Sequence, residues 1–201
     1  MENPGGKMPG KRVPLIPGQI YHIYNRAIAG NLLFRDDRNY VYFLSRTAKY
    51  LPQAAGLLAY CLMPNHYHFI LKILNEEFSR AMQKLALSYV LAYNKVYNQN
   101  GHLFQGVFQR KQVNDLNYLL HLSRYIHLNP VKAKLAAHPE DWDFSSYQGY
   151  IGLRDPDIFD PLPILNIICD QPKASQTRKR ECYRNFIQEW DFDYMEFKIK
   201  K

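Results

Sequence analysis

Two short stretches of the chain carry side chains whose types and spacing suit metal-assisted chemistry on a phosphate. In the first, HYHFILKI from His66 to Ile73, strand alternation puts His66, His68, Ile70 and Lys72 on one face and Tyr67, Phe69, Leu71 and Ile73 on the other, which reads as the core face. Two imidazoles one pleat apart can bind one metal ion, with Lys72 beyond them to meet an anion. In the second, Asp115 to Asn129, a helical advance of about 100° per residue gathers Tyr118, His121, Tyr125 and Asn129 within roughly 40° of Tyr125. Leu116, Leu119, Leu120 and Ser123 point the opposite way. Tyr125 and Asn129 are an i, i+4 pair, so a phenol and an amide can approach one metal-bound phosphate together. His127 points about 200° from Tyr125 and falls off that face. Each stretch alone also has an ordinary reading. An H-x-H pair is as often two strand histidines beside a turn, and Tyr125 with Asn129 also fits an amphipathic interface residue followed by a helix terminator.

The elements that must position these residues follow from patterning. Gln19 to Ala27 alternates β-branched and aromatic residues and predicts a first strand. Asp36 or Asp37 caps a helix carrying Tyr40, Phe43, Leu44 and Ala48. Gly56 to Met63 and His66 to Ile73 are apolar runs separated only by Pro64 and Asn65, which predicts a tight hairpin. A long helix from about Glu76 to Asn98 carries Phe78, Met82, Leu85, Tyr89, Ala92, Tyr93 and Val96 as one stripe, and Asn100 and Gly101 stop it. His102 to Val113 reads as a strand with a glycine bulge. Asn114 or Asp115 caps a helix that Pro130 ends after Asn129. The order strand, helix, strand, strand, helix, strand, helix predicts an α+β, ferredoxin-like antiparallel sheet with one added helix.

Residues 1 to 17, rich in proline and glycine, read as an extended leader, residues 18 to 135 as the main domain, and residues 136 to 201 as a helical extension packed on it. Within that extension, helices are expected near Ser145 to Ile151, Pro163 to Cys169 and Gln176 to Trp190. Cys61, Cys169 and Cys182 show no C-x-x-C spacing, which argues against a disulfide framework or a zinc ribbon. No apolar run approaches the length of a membrane span, and no apolar region follows the N-terminal charges, so a soluble, cytoplasmic protein without membrane partners is expected. Lys and Arg outnumber Asp and Glu by 26 to 18, a balance that suits a polyanion, and the 16 tyrosines offer rings for stacking. Basic groups at Lys11 and Arg12, Arg110 and Lys111, Lys132 and Lys134, and Arg178 to Arg180 are candidates for phosphate contact, although each group alone equally suits a solvated surface.

The segments MPNHYHFIL (63 to 71), GHLFQGVF (101 to 108) and YLLHLSRYIHLNPVKAKL (118 to 135) resemble the REP-associated tyrosine transposases, a branch of the single-tyrosine HUH transposases. YHIYNRA, EDWDFSSYQGYIG and CYRNFIQEW resemble the same branch, so the likeness runs along nearly the whole chain after the leader. It implies an HUH endonuclease fold, His66 and His68 as ligands of Mg2+ or Mn2+, and Tyr125 as the nucleophile. Asn129 stands where relatives supply a third polar ligand, commonly Gln or His. The implied substrate is single-stranded or hairpin DNA, handled by a monomer or a homodimer. The implied reaction is strand cleavage and transfer through a 5′-phosphotyrosine. Lys72, Arg110, Lys111 and Lys132 are candidate DNA contacts, while His102 and Gln105 sit in a motif from which no role follows, and His22 and His138 stand out no more than core or surface histidines. Two other readings remain open: a non-catalytic nucleic-acid-binding regulator on the same fold, and a metal-dependent hydrolase that uses water in place of Tyr125.

Overall fold

The computed structural model describes residues 14–169 and 173–189, so most of the expected leader, with Lys11 and Arg12, and the end of the last expected helix at Trp190 lie outside the described residues. Pro14 to Ile16 are tied to the first strand, because the Tyr21 hydroxyl donates to the Pro14 carbonyl at 2.9 Å and accepts from the Ile16 N–H at 3.0 Å. Elements follow in the order β1 (Ile20–Arg26), α1 (Asp37–Tyr50), β2 (Ala55–Met63), β3 (His66–Ile73), α2 (Phe78–Tyr97), β4 (Gln109–Val113) and α3 (Leu116–Lys132). After them come α4 (Tyr147–Ile151), α5 (Leu162–Ile168) and α6 (Gln176–Gln188). The strands pair antiparallel in the order β2-β3-β1-β4, the ferredoxin-like order expected from the sequence.

Helices cover both faces of the sheet. Phe43 of α1 packs on one face, its ring 5.2 Å from Tyr67 and 6.1 Å from Phe69, with Tyr89 of α2 5.0 Å away. The other face carries His66 and His68. It is roofed by α3, and Ile70 on that face is fully buried. The tip of the β2–β3 hairpin is held from outside, since the Pro64 carbonyl accepts from the N–H groups of Leu33 and Phe34 and the Asn65 carbonyl accepts from Ala27. These bonds fix the start of β3, and therefore His66.

Three elements depart from the sequence-based expectation. The strand predicted over His102 to Val113 is confined to Gln109–Val113, and the stretch before it is a loop held to the end of β1 by the Ala27–Phe104 bridge and by side-chain hydrogen bonds from Asn25 and Arg26. Gly106 in that loop has φ 135°, which interrupts regular pairing, while Leu103 and Phe104 plug the core. Val96, expected in the buried stripe of α2, is exposed. Pro130 does not end α3, which runs on to Lys132. Its missing N–H would have met only the Ile126 carbonyl, and the closing carbonyls are met instead by Ala133, Lys134 and Leu135, with Lys134 at φ 57°.

The C-terminal helices α5 and α6 pack on α3, and α4 packs on α6. Tyr183 of α6 donates to Ser123 and the Tyr147 ring of α4 lies 5.6 Å from that of His127, so these residues extend the same core. No helix among the described residues is long and apolar enough to cross a membrane.

Candidate metal and tyrosine site

β1 lies between β3 and β4, and its antiparallel register sets Tyr24 opposite His68 and Arg26 opposite His66. On its other side Tyr24 faces Gln109 and His22 faces Lys111. Paired residues share a face, so His22, Tyr24, Arg26, His66 and His68 all rise towards α3. The Asp115 side chain caps α3 by accepting from the Tyr118 N–H at 2.7 Å, which fixes where the helix begins. About two turns later Tyr125 comes over β3, its ring centroid 5.8 Å from that of His68. His66, His68 and Tyr125 line one cavity of about 720 Å³, together with Tyr24, Arg26 and Gln105.

Both imidazoles are oriented through Nδ1. His66 donates from Nδ1 to the Asn65 side-chain oxygen at 2.6 Å, and His68 Nδ1 lies 2.9 Å from His22 Nε2. Burial drives the His68 pKa well below its ordinary value, helped by the neighbouring His22 and His66. Burial, with Arg26 next in weight, lowers His66 to about 4, and burial with Lys111 lowers His22 to about 3. All three rings are therefore neutral near pH 7, and a neutral ring that donates its Nδ1–H, as His66 does to Asn65, keeps its Nε2 lone pair for a ligand bond. Among the described residues no group of three or more His, Cys, Asp or Glu side chains could hold a metal ion. Two imidazoles beside an open cavity fit a divalent ion that keeps positions for outside oxygens, as a catalytic ion needs and a structural one does not.

The other sequence candidates lie elsewhere. Asn129 is buried in the penultimate turn of α3 with its Nδ2 unpartnered among the described residues, and it does not line the cavity. Lys72 is exposed at the far end of β3. Lys111 shares the site's face, its ammonium 5.3 Å from the Tyr118 ring centroid, whereas Arg110 points the other way, into an apolar groove beside Phe104 and Phe108. Lys132 is exposed in the last turn of α3, and on α6 Arg178 pairs with Glu181. The cation that does line the cavity is Arg26, whose Nε donates to the Gln105 side-chain oxygen. Sequence reasoning passed over Arg26, Tyr24 and His22 and left Gln105 without a role. The signal was available: in a split βαβ order the first and third strands are neighbours, so alternate residues of YHIYNRA face the histidines of HYH.

Residues 33–129 match the family model of IS200-like transposases. Over that segment, just under half of the chain, the sequence is similar to the IS200-like transposases. The matched segment holds His66, His68 and Tyr125 and ends on Asn129, and it leaves out β1 with His22, Tyr24 and Arg26. The fold is that of a solved REP-associated tyrosine transposase bound to a REP hairpin, with a TM-score of 0.63 and 20% identity over 76% of this chain and 94% of that one. No curated protein matches the chain.

Proposed function

We propose that this protein is a transposase that cuts single-stranded DNA beside a hairpin-forming repeat and passes the cut strand on through a phosphodiester on Tyr125. The observation that carries this reading is the meeting of His66, His68 and Tyr125 at one cavity, from two elements far apart in sequence. His66 and His68 would hold Mg2+ or Mn2+, and the bound ion would supply Lewis-acid neutralisation of the scissile phosphate. An unperturbed phenol has a pKa near 10, so Tyr125 needs an electron-poor phosphorus to attack at neutral pH. Its oxygen bonds to phosphorus as the bond to the 3′ oxygen breaks, and the phenolic proton passes to the departing strand, giving a 5′-phosphotyrosine and a free 3′-hydroxyl. One phosphodiester replaces another, so a new 3′-hydroxyl can reverse the step without a nucleotide cofactor. Arg26 is placed to meet a non-bridging phosphate oxygen, and Tyr24 offers a ring for an unpaired base. Asn129 enters as a third ligand on the resemblance alone.

Hairpin-bearing oligonucleotide incubated with the protein and Mn2+ should give a covalent adduct that resists denaturing gel electrophoresis and is lost in Tyr125→Phe. Cleavage that survives Tyr125→Phe with no protein-linked product would replace this reading with the hydrolase. Binding without metal-dependent cleavage would replace it with the regulator.

A further inference from the structure

His22 is 4% exposed, on the central strand of the sheet, and outside the segment matched to the family. Its Nε2 makes a hydrogen bond with Nδ1 of His68 in a buried setting. Tyr24 stacks on it, the ring centroids 4.7 Å apart and 30° from parallel, and the His22 and His68 rings are themselves 5.1 Å apart. A ring gripped in this way has little rotamer freedom. Neutral imidazole carries one N–H, so a bond between two neutral rings has one donor and one acceptor, and its direction decides which nitrogen of His68 keeps a lone pair. If His22 donated, His68 would carry its own proton on Nε2 and that nitrogen could not ligate a metal. If His68 donates, Nε2 is free to do so.

We propose that His22 is the positioning residue of the metal site: its Nε2 accepts the Nδ1–H of His68 and so locks His68 in the tautomer and orientation that a ligand requires. Asn65 serves His66 in the same way, through an amide oxygen that can only accept. The two ligands are thereby set by different partners, one at the hairpin tip and one on the neighbouring strand. Metal-binding histidines generally need such a partner on the second nitrogen, and removing it typically weakens metal binding by roughly 10–100-fold. The assignment rests on the proposed metal site, but the tautomer can be read without any metal.

The test uses the full chain, with His22→Leu, which keeps apolar bulk but cannot accept, and His22→Gln, whose amide oxygen can. In metal-free wild type, two-bond 15N–1H NMR spectra should show His68 protonated on Nδ1. His22→Leu should lose that signature while His22→Gln keeps it, with all three proteins giving cooperative urea unfolding. In Mn2+ titrations followed by electron paramagnetic resonance without DNA, His22→Leu should bind roughly 10–100-fold more weakly than wild type and His22→Gln should recover most of the loss. Finding His68 protonated on Nε2 in wild type, or equal Mn2+ affinity in wild type and His22→Leu, would overturn the assignment. Wild type that binds no Mn2+ while showing the expected tautomer would instead sink the metal reading and leave the hydrogen-bond assignment standing.

Discussion

His68 and His127 are both buried, both neutral and both hydrogen-bonded, yet they sit in regions built for opposite purposes. His127, on the side of α3 away from the cavity, has its two nitrogens occupied, with Nδ1 2.7 Å from the Tyr183 hydroxyl and Nε2 2.7 Å from Ser146 Oγ. Through these two contacts the ring joins a buried network in which Tyr183 also bonds Ser123 and Ser146 also bonds the Tyr60 carbonyl. Tyr150 and Tyr183 then wall in the ring. His68 has one nitrogen tied to His22 and sits beside an open cavity with Tyr125 at its rim. Burial and a lowered pKa are common to both, so neither property marks function. What separates them is a nitrogen left over next to a space that another molecule can enter.

The largest expected effects come from exchanging the consequences of losing each ring. His68→Ala removes one of two imidazole ligands and should cut adduct formation on the order of 100-fold or more, because Lewis-acid stabilisation of phosphoryl chemistry is worth several kcal/mol. Its cost in stability should be about 1–2 kcal/mol. His127→Ala should show the reverse pattern. It leaves two buried hydroxyls short of a partner and opens a void, costing about 3–5 kcal/mol in urea unfolding, while the molecules that remain folded form adduct at close to the wild-type rate. Equal loss of adduct per folded molecule in both variants would erase the distinction between the two regions.

The same contrast shows what could be read from the sequence. H-x-H after a tight turn, and Tyr125 on a capped helix, were legible because strand and helix periods alone decide which side chains share a face. The helical wheel also excluded His127 correctly. The partners of these residues were not legible from local pattern. His22 and Arg26 acquire meaning only when β1 lies beside β3, a long-range pairing that no local window contains. The stretch from His102 to Phe108 misled because its aromatic and apolar residues suit a strand as well as a loop that plugs the core. Pro130 misled because a proline near a helix end removes only one bond, so the helix continues when neighbours meet the freed carbonyls. Lys72 was placed by the correct alternation but at the wrong distance, since a shared face does not mean a shared site.

Acid sharpens the comparison further. The His127 pKa is lowered to about 3 by burial, from an ordinary value of 6.5. As pH falls below that ordinary value the unfolded chain takes up a proton that folded His127 refuses until about pH 3. The stabilisation is therefore whole above the ordinary value and is lost progressively across the window beneath it. Per group the slope approaches about 1.4 kcal/mol per pH unit. His127→Gln, which cannot titrate, should flatten the pH dependence of urea-derived stability between about pH 6 and pH 4 by close to one proton. An unchanged slope would mean that the ring is not sealed in the way its two hydrogen bonds suggest.

The smallest effect expected is at Asn129, which shares features of both regions. Like His127 it is buried in α3, but like His68 it retains an unused polar atom, its Nδ2, which has no partner among the described residues. Because that nitrogen has no hydrogen bond to lose, Asn129→Ala should change stability by no more than about 1 kcal/mol. An amide oxygen is a weaker ligand than an imidazole, and Asn129 does not line the cavity, so Mn2+ affinity should fall less than about tenfold, against the far larger loss in His68→Ala. A loss as large as that of His68→Ala would make Asn129 an equal ligand, one that reaches the ion only after α3 shifts. No loss at all would leave two imidazoles as the whole protein share of the coordination, with water and phosphate oxygens supplying the rest.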